Sequence, residues 1–117
     1  MSDCLFCKIR DGEIQGDIVF EDDDVLAFND VNPHAPVHVL IIPKKHISTV
    51  NDMSAEDVSV MGKLFSTAKN IALQRDVSED GYRLVVNSNK QAGQSVFHIH
   101  MHLLGGNKLG PMVDRID

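Results

Sequence analysis

His98-Ile99-His100-Met101-His102-Leu103-Leu104 is the stretch that decides how this chain is read. Strand side chains alternate, so the three histidines point one way and Ile99, Met101 and Leu103 the other. The apolar set supplies a core face. The opposite face then carries three imidazoles spaced roughly 6.6 Å apart along the strand. A merely solvated face favours Thr, Lys or Glu and does not repeat one rare titratable residue. Half of the 6 histidines in the chain stand in this one segment, which points to chemistry.

Outward from this strand, Val37-His38-Val39-Leu40-Ile41-Ile42 is nearly all apolar and β-branched, as a central strand should be, and Pro43 stops it. Two short strands are expected at 17–21 and 25–29, around the acidic turn Glu21-Asp22-Asp23-Asp24, which reads as a solvated turn. Residues 3–10 read as a short helix capped by Asp3 and ended by Gly12, with Leu5, Phe6 and Ile9 on one face. The long helix spans about 55–74, opened by Ser54 with Asp57 three residues on. Its buried stripe is Val58, Met61, Leu64, Phe65, Ala68, Ile71 and Ala72. Strands at 82–87 and 95–104 complete the pattern, and 107–117 is an irregular tail. The expectation is one α+β domain over 1–117: a five-stranded antiparallel sheet with a short N-terminal helix and one long helix on one face.

Composition excludes some partners. Lys plus Arg is 11 against 17 for Asp plus Glu, a net charge of -6, which opposes a nucleic-acid polymer or an anionic membrane. A pocket with a few placed donors can still hold one nucleotide. No apolar run approaches the ~20 residues of a membrane span, and Met1-Ser2-Asp3-Cys4 does not resemble a signal peptide, so a cytoplasmic protein is expected.

Three readings of the histidines remain open on the residues alone. A metal site needs further ligands and carboxylates to orient the rings, yet no acidic residue lies between Asp80 and Asp114. A pH switch leaves the flanking loop unexplained. Covalent catalysis at phosphorus suits Gly93-Gln94-Ser95, where turn N–H groups, an amide and a hydroxyl can gather round an anion.

The segment 94–106 resembles the signature of the histidine-triad (HIT) superfamily, and Leu26-Ala27-Phe28-Asn29-Asp30 and Ile41-Ile42-Pro43-Lys44-Lys45-His46-Ile47-Ser48 resemble two further blocks of it. Ser95 after Gln94, and a third histidine where the transferase branch has Gln, are similar to the Hint branch of histidine-triad nucleotide-binding proteins. The resemblance implies a HIT-like fold and a homodimer. It also implies hydrolysis of purine nucleoside 5′-phosphoramidates to AMP or GMP through a covalent nucleotidyl-histidine on His100, with no cofactor needed for the chemistry. His102 and His38 then lie beside the phosphate oxygens, His98 completes the triad, and Ser95 helps protonate the leaving amine. Asp30 accepts the ribose hydroxyls. Leu5, Phe6, Ile9, Phe28 and Val31 wall the base, with Asn29 in the same block, and Asn87, Gly93 and Gln94 add polar contacts. On residue type alone His38 is equally a core histidine, Asp30 a turn residue and the apolar set plain packing.

Cys4-Leu5-Phe6-Cys7 is a CxxC, and many members of the superfamily that carry it bind zinc. The matching set is Cys4, Cys7, His46 and His98, a closed structural site of Cys₂His₂ type. An empty site and redox thiols are the alternatives. His98 cannot ligate zinc and face the phosphate at once. The tail Asn107-Lys108-Leu109-Gly110-Pro111 lacks the Trp-Pro element of the branch, so leaving-group preference is the least constrained inference. Competing functions are a diadenosine-polyphosphate hydrolase of the same superfamily, a nucleotide-binding interaction module with incidental catalysis, and a metal hydrolase.

Overall fold

The run from Val37 to Pro43 forms the middle strand of five, and the rest of the domain is assembled on its two edges and two faces. The computed structural model describes residues 3–113; positions 1, 2 and 114–117 of the expected domain and tail lie outside the described residues. In chain order the elements are α1 (Leu5–Arg10), β1 (Ile18–Glu21), β2 (Val25–Asn29), β3 (Val37–Pro43), α2 (Val58–Gln74), β4 (Tyr82–Val86) and β5 (Met101–Gly105). All neighbouring strands are antiparallel and the sheet order is β1-β2-β3-β5-β4. The last strand therefore inserts between β3 and β4.

Alternation along each strand builds two cores. Val25, Ala27, Val39, Ile41, Met101 and Leu103 meet Leu64, Ala68, Ile71 and Ala72 of α2. Leu26, Phe28, Leu40 and Ile42 meet Phe6 of α1. The two helices thus cover opposite faces of the sheet, which corrects the expectation that they share one. Each fully buried Leu or Ile removed from water is worth about 1.5–3 kcal/mol, so α2, with four buried core residues, anchors the larger face.

Helix α2 begins three residues later than expected, because Ala55–Asp57 forms a 3₁₀ turn. The Ser54–Asp57 box does form, with the Ser54 N–H donating to Asp57 Oδ2 at 2.9 Å. Val58 and Phe65 are exposed, and Thr67 takes a buried place in the stripe instead. For α1 the cap is Cys4, whose Sγ accepts the Cys7 N–H at 3.4 Å; Asp3 stays exposed. Gly12 ends it with φ +79°, a left-handed turn that glycine takes without steric cost.

The strand expected at 95–104 pairs only over Met101–Gly105. Its ladder with β3 stops at Ile41↔Met101, because Pro43 has no N–H to continue it. Ile99 donates instead to the Ile47 carbonyl, at 2.7 Å. Alternation survives in the loop: Ile99 still packs in the α2 core, opposite the histidines.

Candidate active site

The insertion of β5 lays the histidine face beside the even-numbered residues of β3. Leu40 pairs with His102 and His38 with Leu104, so all four share the α1 side of the sheet. His38, His98 and His100 are buried at 4%, 0% and 6% exposure, and His102 is half-buried. Phe6 meets His100 edge-on at 5.0 Å between ring centroids, and Phe28 at 5.4 Å. These rings form an apolar wall around the middle histidine. The sequence placed the histidines on a face of their own; α1 covers it.

His100 Nδ1 lies 2.8 Å from the His98 carbonyl oxygen. A carbonyl only accepts, so the ring proton sits on Nδ1 and the lone pair on Nε2. Burial holds the His100 pKa below the ordinary imidazole value, outweighing the carbonyl and Asp30. The ring is therefore neutral at neutral pH and presents a nucleophilic nitrogen.

His98 has the opposite arrangement. Its Nε2 donates to the Pro43 carbonyl at 2.8 Å, and burial pushes its pKa down to about 4. The Nδ1 lone pair faces Cys4 Sγ at 3.4 Å, Cys7 Sγ at 3.5 Å and His46 Nδ1 at 3.3 Å. Cys7 Sγ is also 3.3 Å from His46 Nδ1, and all four donor atoms lie within 4.8 Å of one another. Zinc bonds of about 2.3 Å to sulfur and about 2.0–2.1 Å to nitrogen give tetrahedral edges of about 3.4–3.8 Å. The donor set fits zinc. The same contacts turn the His98 ring toward the two cysteines and His46, while its main-chain carbonyl faces the His100 ring.

Asp30 is half-buried; its Oδ1 accepts the Asn32 N–H at 2.9 Å and its Oδ2 lies 3.4 Å from His38 Nε2. Ile9 is half-buried beside Phe6, whereas Leu5 is 44% and Val31 89% exposed, so the apolar wall is open at its rim. Ser95 is exposed and lines a cleft of about 480 Å³ with Cys4, His46, Ser48 and Phe97. Gly93, with φ +94°, turns the loop before it, and Asn87 follows β4 half-buried.

Two expected nucleotide contacts are placed elsewhere. Asn29 is an odd-numbered residue of β2, so its side chain lies on the α2 side, donating to Asp17 at 2.8 Å and accepting from Arg75 at 3.3 Å. The Gln94 amide is committed to the backbone: its oxygen accepts the Asn89 N–H at 2.7 Å, and its nitrogen donates to the Ser48 and Val96 carbonyls at 2.7 and 3.1 Å. Gln94 shapes the loop. Sequence reasoning passed over His34, whose N–H reaches His38 Nδ1 at 3.0 Å; the signal available was a histidine between two prolines. The Pro43 carbonyl gave no signal, since every residue carries one.

The buried imidazoles predict a stability profile. His102 is pushed down to about 4 by burial and then by His100, and His38 is lowered by burial. The unfolded chain binds these protons near pH 6.5, so stability is complete above about that value and falls as the pH drops toward about 4. Thermal melts from pH 7.5 to 4 should show Tm declining through that window; a flat Tm contradicts the assignment.

A family model described as "HIT domain" matches residues 11–109. The chain is 54% identical over 109 residues to a purine nucleoside phosphoramidase of Escherichia coli (strain K12), covering 93% of this chain and 92% of that protein. Among solved structures, a HIT family hydrolase from Legionella pneumophila Philadelphia 1 is 52% identical with TM-score 0.90, over 92% of this chain and 96% of the other. A HIT family hydrolase from Clostridium thermocellum is 43% identical with TM-score 0.92, over 97% and 98% of the two chains.

Proposed function

The chain belongs to the HIT domain family, and from that premise we propose that it hydrolyses purine nucleoside 5′-phosphoramidates, releasing AMP or GMP through a nucleotidyl-histidine on His100. The carrying observation is the 2.8 Å bond from His100 Nδ1 to the His98 carbonyl, which leaves Nε2 as a free lone pair in a neutral ring. The phosphoramidases of 54% identity support the substrate class.

In the first step His100 Nε2 attacks the α-phosphorus. An N–P bond forms, the P–N bond to the amine breaks, and its electron pair leaves on nitrogen, which takes up a proton. The resemblance to the family signature makes Ser95, exposed in the loop before the triad, the hydroxyl that helps protonate the leaving amine. Water then attacks the same phosphorus and passes its proton to solvent, and the bond to His100 breaks with its electron pair returning to Nε2, so the ring is neutral again. Asp30 accepts from the ribose hydroxyls, and Phe6, Phe28 and Ile9 wall the base, with Leu5 and Val31 at the rim. Asn87 and the Gly93 turn complete the phosphate side.

Cys4, Cys7, His46 and His98 would hold a structural zinc, which would tie α1 to the segment after β3 and supply no step of the reaction. Thiols kept reduced for that role suit the cytoplasm. Pairing of two copies is supported by edge strand β4, whose outer edge has no partner strand among the described residues, and by exposed Val58, Phe65 and Leu73 on α2. A sedimentation mass of two chains checks it.

The activity is tested with adenosine 5′-phosphoramidate. AMP should accumulate at a rate unaffected by brief exposure to chelator in the assay, and acid-quenched mixtures should contain a nucleotidylated peptide that includes position 100. Absence of AMP release overturns the proposal.

A further inference from the structure

The backbone N–H of His34 donates to His38 Nδ1 at 3.0 Å. That nitrogen must carry a lone pair. A neutral imidazole has one proton, so in His38 it sits on Nε2. The ring is buried, and burial favours the neutral form over the pull of Asp30. Nε2 stands 2.9 Å from His102 Nδ1 and 3.4 Å from Asp30 Oδ2, so the proton is given to the nearer acceptor. His102 Nδ1 then accepts, and the single proton of His102 is left on its Nε2.

We infer that His38 is a positioning residue: its Nε2–H fixes the proton of His102 on Nε2, so that His102 offers a donor to the phosphoryl group while His100 offers a lone pair. The two rings are adjacent, 5.0 Å between centroids, and carry opposite tautomers. An in-line attack puts the leaving group on the far side of phosphorus from His100. A ring beside the nucleophile therefore reaches an equatorial oxygen, where a donor steadies the charge that shifts during attack. The source of the fixed tautomer is the 30–36 loop. Asp30 Oδ1 holds the Asn32 N–H, and Pro33 and Pro36, which offer no N–H, bracket the amide of His34.

The same proton decides a second question. The donor atoms of Asp30, His38 and His102 lie within 4.8 Å of one another, a spacing that could hold a cation. With its proton on Nε2, His38 has no lone pair there to give, and the cluster is a hydrogen-bonded relay.

The catalytic part of this inference rests on His100 as the nucleophile; the tautomers do not, and are measured on the free protein. With ¹⁵N-labelled histidine, long-range ¹H–¹⁵N correlation should show His102 protonated on Nε2 and bare on Nδ1. In His38→Phe, which cannot donate, His102 should show a mixture of both tautomers. In His38→Gln, whose amide can donate, the wild-type pattern should return. With an alkylamine phosphoramidate and with a p-nitrophenyl ester of AMP, kcat of His38→Phe should fall by a similar roughly ten- to hundredfold, since an equatorial donor serves both leaving groups. His102 protonated on Nδ1 in the wild type overturns the inference without help from any variant. A tautomer unchanged in His38→Phe, or a loss confined to the amine substrate, also overturns it. Failure of AMP release with the tautomers as stated sinks the activity and leaves the relay standing.

Discussion

Replacing His100 with Ala should lower AMP release by at least about a thousandfold and abolish the trapped nucleotidyl adduct. The loss is this large because no neighbour can substitute. The His98 ring donates to Pro43 and turns its lone pair to the cysteines. The lone pair of His102 accepts from His38. Only Nε2 of His100 is free to attack. Alanine also leaves the His98 carbonyl without its donor and opens a gap beside Phe6, so a second substitution separates chemistry from folding. His100→Asn can still donate to that carbonyl but has no ring nitrogen; it should melt close to wild type and be just as inactive. Activity of either variant within tenfold of wild type would falsify the covalent mechanism.

Cys7→Ser should reduce bound zinc from one equivalent to near none and lower Tm by about 10 °C. Cys7 is 2% exposed, and its sulfur bridges helix α1 to His46 and His98. Structural zinc is worth about 10–16 kcal/mol in small peptides that fold only with metal. This domain has two cores of its own, so the loss is a fraction of that. About 3 kcal/mol lowers Tm by about 10 °C for a chain of this length. Elemental analysis of protein kept reduced, alongside melts with and without chelator, checks both halves. Wild-type protein free of zinc retires the metal reading and leaves the histidine chemistry untouched.

Much of this molecule could be read from residue spacing, because spacing reports local geometry. The β3 run, the Ser54–Asp57 box and the division of His98, His100 and His102 from Ile99, Met101 and Leu103 are all local, and all appear in the structure. The structure departs from residue spacing in two ways. Some departures depend on a distant partner: β5 is shorter than its alternation implies because Pro43, on another strand, ends the ladder. Cys4 caps α1 in place of Asp3 because its sulfur is already turned inward toward His98. Others follow from a pattern visible in the sequence itself. Val25-Leu26-Ala27-Phe28 is apolar at every position, and a strand apolar on both sides needs cover on both sides, which places α1 and α2 apart. The same count puts Asn29 on the α2 side. Within the site, the strand histidines stand out by residue type and spacing, whereas Asp30, His38 and the Cys4, Cys7, His46 and His98 set are named by the family resemblance; which nitrogen carries each proton is in neither. That depends on the main-chain groups of Pro43, His98 and His34, which no side chain announces.

The acceptor that orients the proposed nucleophile is a main-chain oxygen, and no codon change can delete it. Drift at position 98 would remove one of the four donors of the proposed zinc site and still leave His100 Nε2 aimed. Heritable damage to the aim must come through a shift of the polypeptide itself, so inactivating lesions outside position 100 should cluster at residues that set the path of the chain from 94 to 100.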